Sequence, residues 1–208
     1  MHRATPRASV LAASGSAFAL VLACAPVASA GAPSDAAYDR SGPFAGAAGV
    51  YAFGDFDRKF DDSAGAELHL GYRVAPHLAL EFVYQWLEGF DSLGDTPEPF
   101  DAVAPGEEVE IDTHQISLGA KVYGMTGRIQ PYALVGVSLL VVNSEIVDPD
   151  FEKPYDVDVG PAGRFGGGVE YYATPHFVVG VEGSYLVPGG HVDGERFGTL
   201  GVLFQYRR

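Results

Sequence analysis

The stretch "GYRVAPHLALEFVYQW", Gly71 to Trp86, limits what this chain can fold into more than any other feature. From Leu78 onward Leu78, Leu80, Phe82, Tyr84 and Trp86 alternate with Ala79, Glu81, Val83 and Gln85. A period of two is the signature of a β-strand, whose successive side chains point to opposite faces. It does not say which face is inside. With the aromatic face as a core, the chain is a soluble barrel or sandwich. With that face against lipid, it is an inside-out barrel with a polar interior.

Eight segments read as strands, at about 44–54, 64–75, 77–89, 110–125, 131–146, 160–173, 177–187 and 196–206. No segment has a 3.6-residue apolar period of helical length. Three connections are tight: Ala75-Pro76-His77, Met125 to Gln130, and Thr174-Pro175-His176. Four are long and polar: Asp55 to Asp62, Phe90 to Val109, Val147 to Val159, and Pro188 to Glu195. Long and tight connections alternate strictly along the chain. An up-and-down antiparallel barrel, with tight turns at one end and long loops at the other, has this order. "YRVAPHLALEF" and "YYATPHFVVGV" echo each other around Pro76 and Pro175, and one turn chemistry used twice accounts for the echo.

The remaining strands divide the same way. Leu68, Leu70, Tyr72 and Val74 oppose Glu67, His69, Gly71 and Arg73. Ile116, Leu118, Ala120 and Val122 oppose Gln115, Ser117, Gly119, Lys121 and Tyr123. Phe165, Val169 and Tyr171 oppose Arg164, Gly166, Gly168 and Glu170; Val179 and Val181 oppose Gly180 and Glu182. Leu200, Val202, Phe204 and Tyr206 oppose Thr199, Gly201, Leu203 and Gln205. The first and fifth strands are ambiguous. On the polar faces charges sit among glycines, which suits a crowded interior better than a solvated surface. Eight strands enclose a lumen that side chains can fill, and a charge buried there needs a partner. Glu67, Arg73, Glu81, Lys121, Arg164, Glu170 and Glu182 are therefore expected to form a lumenal ionic network. The apolar faces end in aromatics, as interfacial girdles do. These features favour the lipid-facing reading over a soluble, lipocalin-like barrel with an apolar lumen and a small hydrophobic ligand.

The start of the chain reads as an export signal over residues 1–30. Arg3 and Arg7 are basic, Ala8 to Ala23 is uncharged and mostly apolar, and Ala28-Ser29-Ala30 is a small-residue cleavage site. That run is short for a membrane span, and no later segment offers about 18 apolar residues in succession. "LVLAC" also loosely matches a lipobox, which leaves acylation at Cys24 as the alternative to cleavage after Ala30. Residues 31–42 read as a linker and 43–208 as the barrel. Without Arg3 and Arg7, 27 acids face 11 bases and the formal charge moves from -14 to -16. Nucleic acid is not expected as a partner, because neutralising phosphates takes a basic face.

The eight segments, the Tyr-x-x-x-Pro-His turns and "PYALVGVSL" resemble the small outer-membrane β-barrel family of the OmpA and OmpW type. The resemblance covers about residues 43–206. In "TLGVLFQY", Thr199, Gly201, Phe204 and Tyr206 are similar to the C-terminal signal read by the barrel assembly machinery; Arg207 and Arg208, which follow, depart from it. The resemblance implies an all-β, eight-stranded transmembrane barrel, porin-like, in the outer membrane of a Gram-negative envelope. Its implied partners are membrane lipid, lipopolysaccharide and the assembly machinery.

Candidate chemistry is sparse, and no catalytic, cofactor or metal residue is assigned. His69 lies beside Glu67 and Arg73 and reads as a packing residue; His77 and His176 read as turn residues. Some eight-stranded outer-membrane barrels are lipid A-modifying enzymes, but His114 and Ser117 are three apart on a strand and point to opposite faces. The acidic stretches "DFDRKFDD", "DTPEPFDAVAPGEEVEID" and "DPDFEKPYDVD" lack the spacing of a calcium loop. "GRFGGGVE" is strand, with no following helix to cradle a phosphate. The expectation is a non-enzymatic envelope barrel with a side-chain-filled lumen, acting through its outer loops or as passive structure. No further domain is expected at either end. The alternative is an OmpW-like channel for small apolar solutes.

Overall fold

The computed structural model describes residues 38, 40–54, 62–91, 108–147, 156–190 and 196–208. Residues 1–30, read from sequence as an export signal, nearly all of 31–42, read as a linker, and the interiors of the four long loops lie outside the described residues. Eight strands form one closed antiparallel barrel in chain order. They are β1 (Gly42–Gly54), β2 (Ser63–Ala75), β3 (Leu78–Asp91), β4 (Glu108–Tyr123), β5 (Ile129–Val147), β6 (Asp156–Tyr172), β7 (Phe177–Pro188) and β8 (Phe197–Arg207). Closure comes from β1 against β8, in a register running from Phe44 opposite Arg207 to Gly54 opposite Phe197.

The face assignment follows the chemistry. Leu118 is 61% exposed and Val137 68%, while Lys121 and Glu170, on the opposite faces of their strands, are 0% exposed. A molecule with leucine outside and lysine inside is stable only where the outer solvent is apolar. Strand β5 is ambiguous by sequence because both its faces are apolar. Its inward side chains are Gln130, Tyr132, Leu134, Ser138, Leu140 and Val142, and Val135, Val137 and Leu139 face out. On β1 the small residues Ala48 and Ala52 point inward with Phe44 and Val50.

The strands reach further into the long connections than their polarity suggests. β3 continues to Asp91, and β4 is already paired at Glu108, opposite Val147. At the other end both Pro-His turns dock in one way. Tyr123 N donates to His77 O at 2.9 Å, and the His77 ring Nδ1 meets Tyr123 O at 2.8 Å. Arg207 N donates to His176 O at 2.8 Å, and His176 Nδ1 meets Arg207 O at 2.9 Å. The sequence echo is thus a repeated device that ties a turn to the neighbouring strand end, that of β4 or β8.

Close approach requires glycine at several positions, Gly71 and Gly168 among them. A Cβ at Gly168 meets the Tyr132 hydroxyl at 2.6 Å, and one at Gly71 collides with the Phe44 ring. Each lets an aromatic from a neighbouring strand lie flat inside a narrow lumen. Leu118→Arg, at mid-height on the outer wall, is expected to destabilise the barrel by about 2–4 kcal/mol. Urea unfolding in lipid vesicles measures it, and an unchanged midpoint contradicts the assignment of this face to lipid.

Candidate functional site in the barrel lumen

The lumen is layered along its axis. Nearest the loops it is mostly apolar: Val50, Ala52, Leu87, Leu140, Val142, Leu186 and Phe197 belong to one buried cluster, with Ser63 and Thr113 buried at the same height. Below lies a ring of hydroxyls and amides. Gln115 Nε2 donates to Ser117 Oγ at 2.6 Å and to Ser138 Oγ at 3.0 Å, and Ser184 and Thr199 share a hydrogen bond of 2.8 Å. Sequence periodicity predicts polar lumenal faces, and the apolar upper layer departs from that. It is built where both faces of a strand are apolar, so alternation carries no signal there.

The middle layer is ionic. Glu67 and His69 lie two apart on β2 and share the inward face; Glu81, Lys121, Arg164 and Glu182 reach them from β3, β4, β6 and β7. Lys121 Nζ lies 2.9 Å from Glu81 Oε2 and 2.7 Å from Glu182 Oε2. Arg164 Nη2 bridges Glu67 Oε1 at 3.0 Å and Glu182 Oε1 at 2.9 Å. His69 stands between two carboxylates, Nε2 3.0 Å from Glu67 and Nδ1 3.5 Å from Glu81. Gln85 Nε2 donates to Glu67 Oε1 at 2.8 Å, and the Tyr132 hydroxyl to Glu182 Oε2 at 2.5 Å. Three carboxylates thus face one ammonium, one guanidinium and one imidazole. All six groups are nearly fully buried.

Nearest the turns lies a second cluster of arginine and tyrosine. Arg207 Nη2 donates to Glu170 Oε2 at 2.5 Å and to the Tyr123 hydroxyl at 3.0 Å; its Nη1 donates to the Tyr172 hydroxyl at 2.7 Å. Arg73 stacks over the Tyr123 ring at 4.3 Å and donates to Gln130 Oε1 at 2.7 Å and the Tyr172 hydroxyl at 3.0 Å. It also donates to Pro76 O. Tyr123 and Tyr132, 5.5 Å apart, join this cluster to the ionic layer. Tyr38 covers the mouth: its carbonyl accepts from Gln130 Nε2 at 3.0 Å and its ring meets Tyr172 at 5.2 Å.

Of the seven charged residues read from sequence, Glu67, Glu81, Lys121, Arg164 and Glu182 come together. Glu170 stands apart with Arg207, and Arg73 has no carboxylate partner among the described residues. Arg207, read as trailing the last strand, is its final inward residue and continues the parity of Thr199, Gly201, Leu203 and Gln205. That parity was the available signal. His114 faces outward, its Nδ1 2.9 Å from the Tyr84 hydroxyl, and Ser117 faces inward. Thr199 and Gly201 point into the lumen, and Phe204 and Tyr206 lie on the exposed wall.

A family model for the outer membrane protein β-barrel domain matches residues 17–206. The chain belongs to this family, and its place is the outer membrane. The outer-membrane barrel is similar in fold to Neisserial surface protein A, with 16% identity, a TM-score of 0.63, and 81% of this chain and 98% of that one covered. A major outer membrane protein of Thermus thermophilus is similar at 11% identity and a TM-score of 0.58, over 81% and 100% of the two chains. The attachment invasion locus protein Ail of Yersinia pestis, solved with the heparin analogue sucrose octasulfate, is similar at 15% identity and a TM-score of 0.52, over 81% and 97%. No curated protein matches the chain.

Glu182 is a sensitive point of the outer-membrane barrel, since it holds Lys121, Arg164 and Tyr132 at once. Glu182→Gln leaves two buried cations short of a carboxylate, and the expected cost is about 3–5 kcal/mol. Glu88→Gln, on an exposed position, is expected to change stability by less than about 0.5 kcal/mol. Paired urea titrations in detergent micelles compare the two.

Proposed function

We propose that this protein is a non-enzymatic envelope barrel with a sealed lumen, and that its contacts with the outside are made by its four long loops. The observation that supports this most is the filling of the lumen. An apolar layer, an ionic layer and an arginine–tyrosine layer follow one another down the axis, each built of buried side chains. Water or solute would have to displace paired charges, which costs several kcal/mol per ion. The loops are then the chemically variable surface, and by sequence three of them are rich in Asp and Glu. The barrel's partners on this reading are membrane lipid, lipopolysaccharide and, during biogenesis, the assembly machinery, engaged through Thr199, Gly201, Phe204 and Tyr206.

The Ail comparison sharpens the loop reading. Acidic loops repel a polysulfate, so the loop end of this barrel is expected not to bind sucrose octasulfate; isothermal titration at low salt, on protein with the turn-end arginines Arg40, Arg128 and Arg208 changed to glutamine, tests that. One feature favours the channel reading instead. The apolar layer beneath the loops, from Val50 to Phe197, is the kind of surface a small apolar solute would wet on its way sideways through the wall.

Planar-bilayer recording and loop excision separate the two readings. A sealed lumen gives at most small, rare conductance. Deletion of 92–107 is expected to leave a heat-modifiable barrel while altering adhesion, phage sensitivity or the divalent-ion dependence of the envelope. Large steady channels, or solute uptake that responds to Leu140→Phe and ignores the loop deletion, would falsify the sealed-barrel proposal.

A further inference from the structure

The turn end of the barrel carries a charge pattern that sealing the lumen does not require. Among the described residues, its exposed charged side chains are Arg40, Arg128 and Arg208, and no exposed Asp or Glu lies at that end. Two of these arginines converge on one turn, between β6 and β7. Arg128 Nε donates to Tyr172 O at 3.0 Å and its Nη2 to Ala173 O at 3.2 Å. From the other side Arg40 Nη2 donates to Pro175 O at 3.3 Å. Arg208 follows Arg207, whose carbonyl meets the His176 ring of the same turn. The Arg128 guanidinium is also held 5.3 Å over the Tyr171 ring.

Arg40 and Arg128 are positioned, not free. Carbonyl bonds on one edge fix each of the two guanidiniums, and a five-donor fork fixed that way keeps donors for an external acceptor. The wall directly adjoining the turn is apolar and exposed: Val169, Tyr171, Phe177, Phe204 and Tyr206. A cationic rim above an apolar wall matches one kind of molecule, an anion with long hydrocarbon chains. In outer-membrane barrels the short turns lie on the periplasmic side. The lipids of that leaflet are glycerophospholipids. We propose that the β6–β7 turn, framed by Arg40 and Arg128 with Arg208 at the adjoining end of β8, binds the phosphate of an anionic glycerophospholipid, with its acyl chains along Tyr171, Phe177 and Tyr206. The site rests on the outer-membrane placement of the chain and does not depend on whether the lumen conducts.

The test uses the protein as folded in the outer membrane, extracted into mixed micelles with equal phosphatidylglycerol and phosphatidylcholine, retained lipid being counted by native mass spectrometry. A basic side chain at an anionic lipid surface is worth about a fivefold change in partition. Wild-type protein is expected to retain phosphatidylglycerol over phosphatidylcholine, and the Arg40→Gln/Arg128→Gln/Arg208→Gln variant to lose about tenfold or more of that preference. The matching triple lysine variant keeps most of it. Removing equal charge at the loop end, in Arg58→Gln/Lys59→Gln/Lys153→Gln, leaves it unchanged. Equal retention of the two lipids by wild-type protein, or equal loss in the loop-end control, overturns the site. A shift between boiled and unboiled gel mobility, recorded for every variant, reports barrel folding separately. If the glutamine variant does not fold, the wild-type preference and the lysine variant still decide.

Discussion

In lipid no water is available to satisfy an unpaired backbone N–H or C=O, and each one left unsatisfied costs several kcal/mol. The pairing of β1 with β8, from Phe44–Arg207 to Gly54–Phe197, removes the two free edges that an eight-stranded sheet would otherwise present. Everything else here depends on that closure. It fixes the diameter, the diameter fixes how many side chains the lumen holds, and the two-residue period then forces every second residue into that space. Lysine, arginine and glutamate are inside because the outside is the wrong solvent for them.

Confinement makes the charges mutually dependent. Glu182 serves Lys121, Arg164 and Tyr132, and Glu67 serves Arg164, His69 and Gln85. Such an arrangement adds little net stability over a well-packed apolar one, but removing a single member is costly. Its contribution is to register. Slipping one strand by a residue turns a buried carboxylate toward lipid and an apolar wall residue into the ionic layer. The glycines act in the same direction, because Tyr132 fits only where its neighbour across the strand pair is a glycine, as at Gly168.

Strand number, chain order and the facing of β2, β3, β4, β6, β7 and β8 were legible in the sequence, because on those strands apolar and polar residues alternate. β1 and β5 were not, since alanine, glycine and valine occupy both their faces, and only pairing with neighbours on each side decides them. The ionic layer was legible as a set of charges but not as pairs. Lys121 reaches Glu182, three strands away along the wall, across the lumen, and that distance depends on barrel diameter and side-chain length. Arg207 was missed for a different reason: the aromatic at Tyr206 looked like the end of the strand, while the inward parity runs one residue further.

The layering has a directional consequence. The loop end of the lumen is packed mostly with apolar side chains, which carry no charge and respond little to salt. The turn end is closed by arginine, tyrosine and one carboxylate, Glu170, whose geometry depends on charge-assisted hydrogen bonds. By sequence the acids crowd the loops, and the exposed arginines of the described residues include three at the turns. By sequence the loops are thus negative, and the exposed charged side chains of the described residues at the turns are positive, with an uncharged, mostly apolar layer between the loops and the ionic core. A chain this acidic would be repelled from an anionic surface at either end if its charges were spread evenly. Sorting them lets one end approach anionic lipid while the other keeps its carboxylates in water.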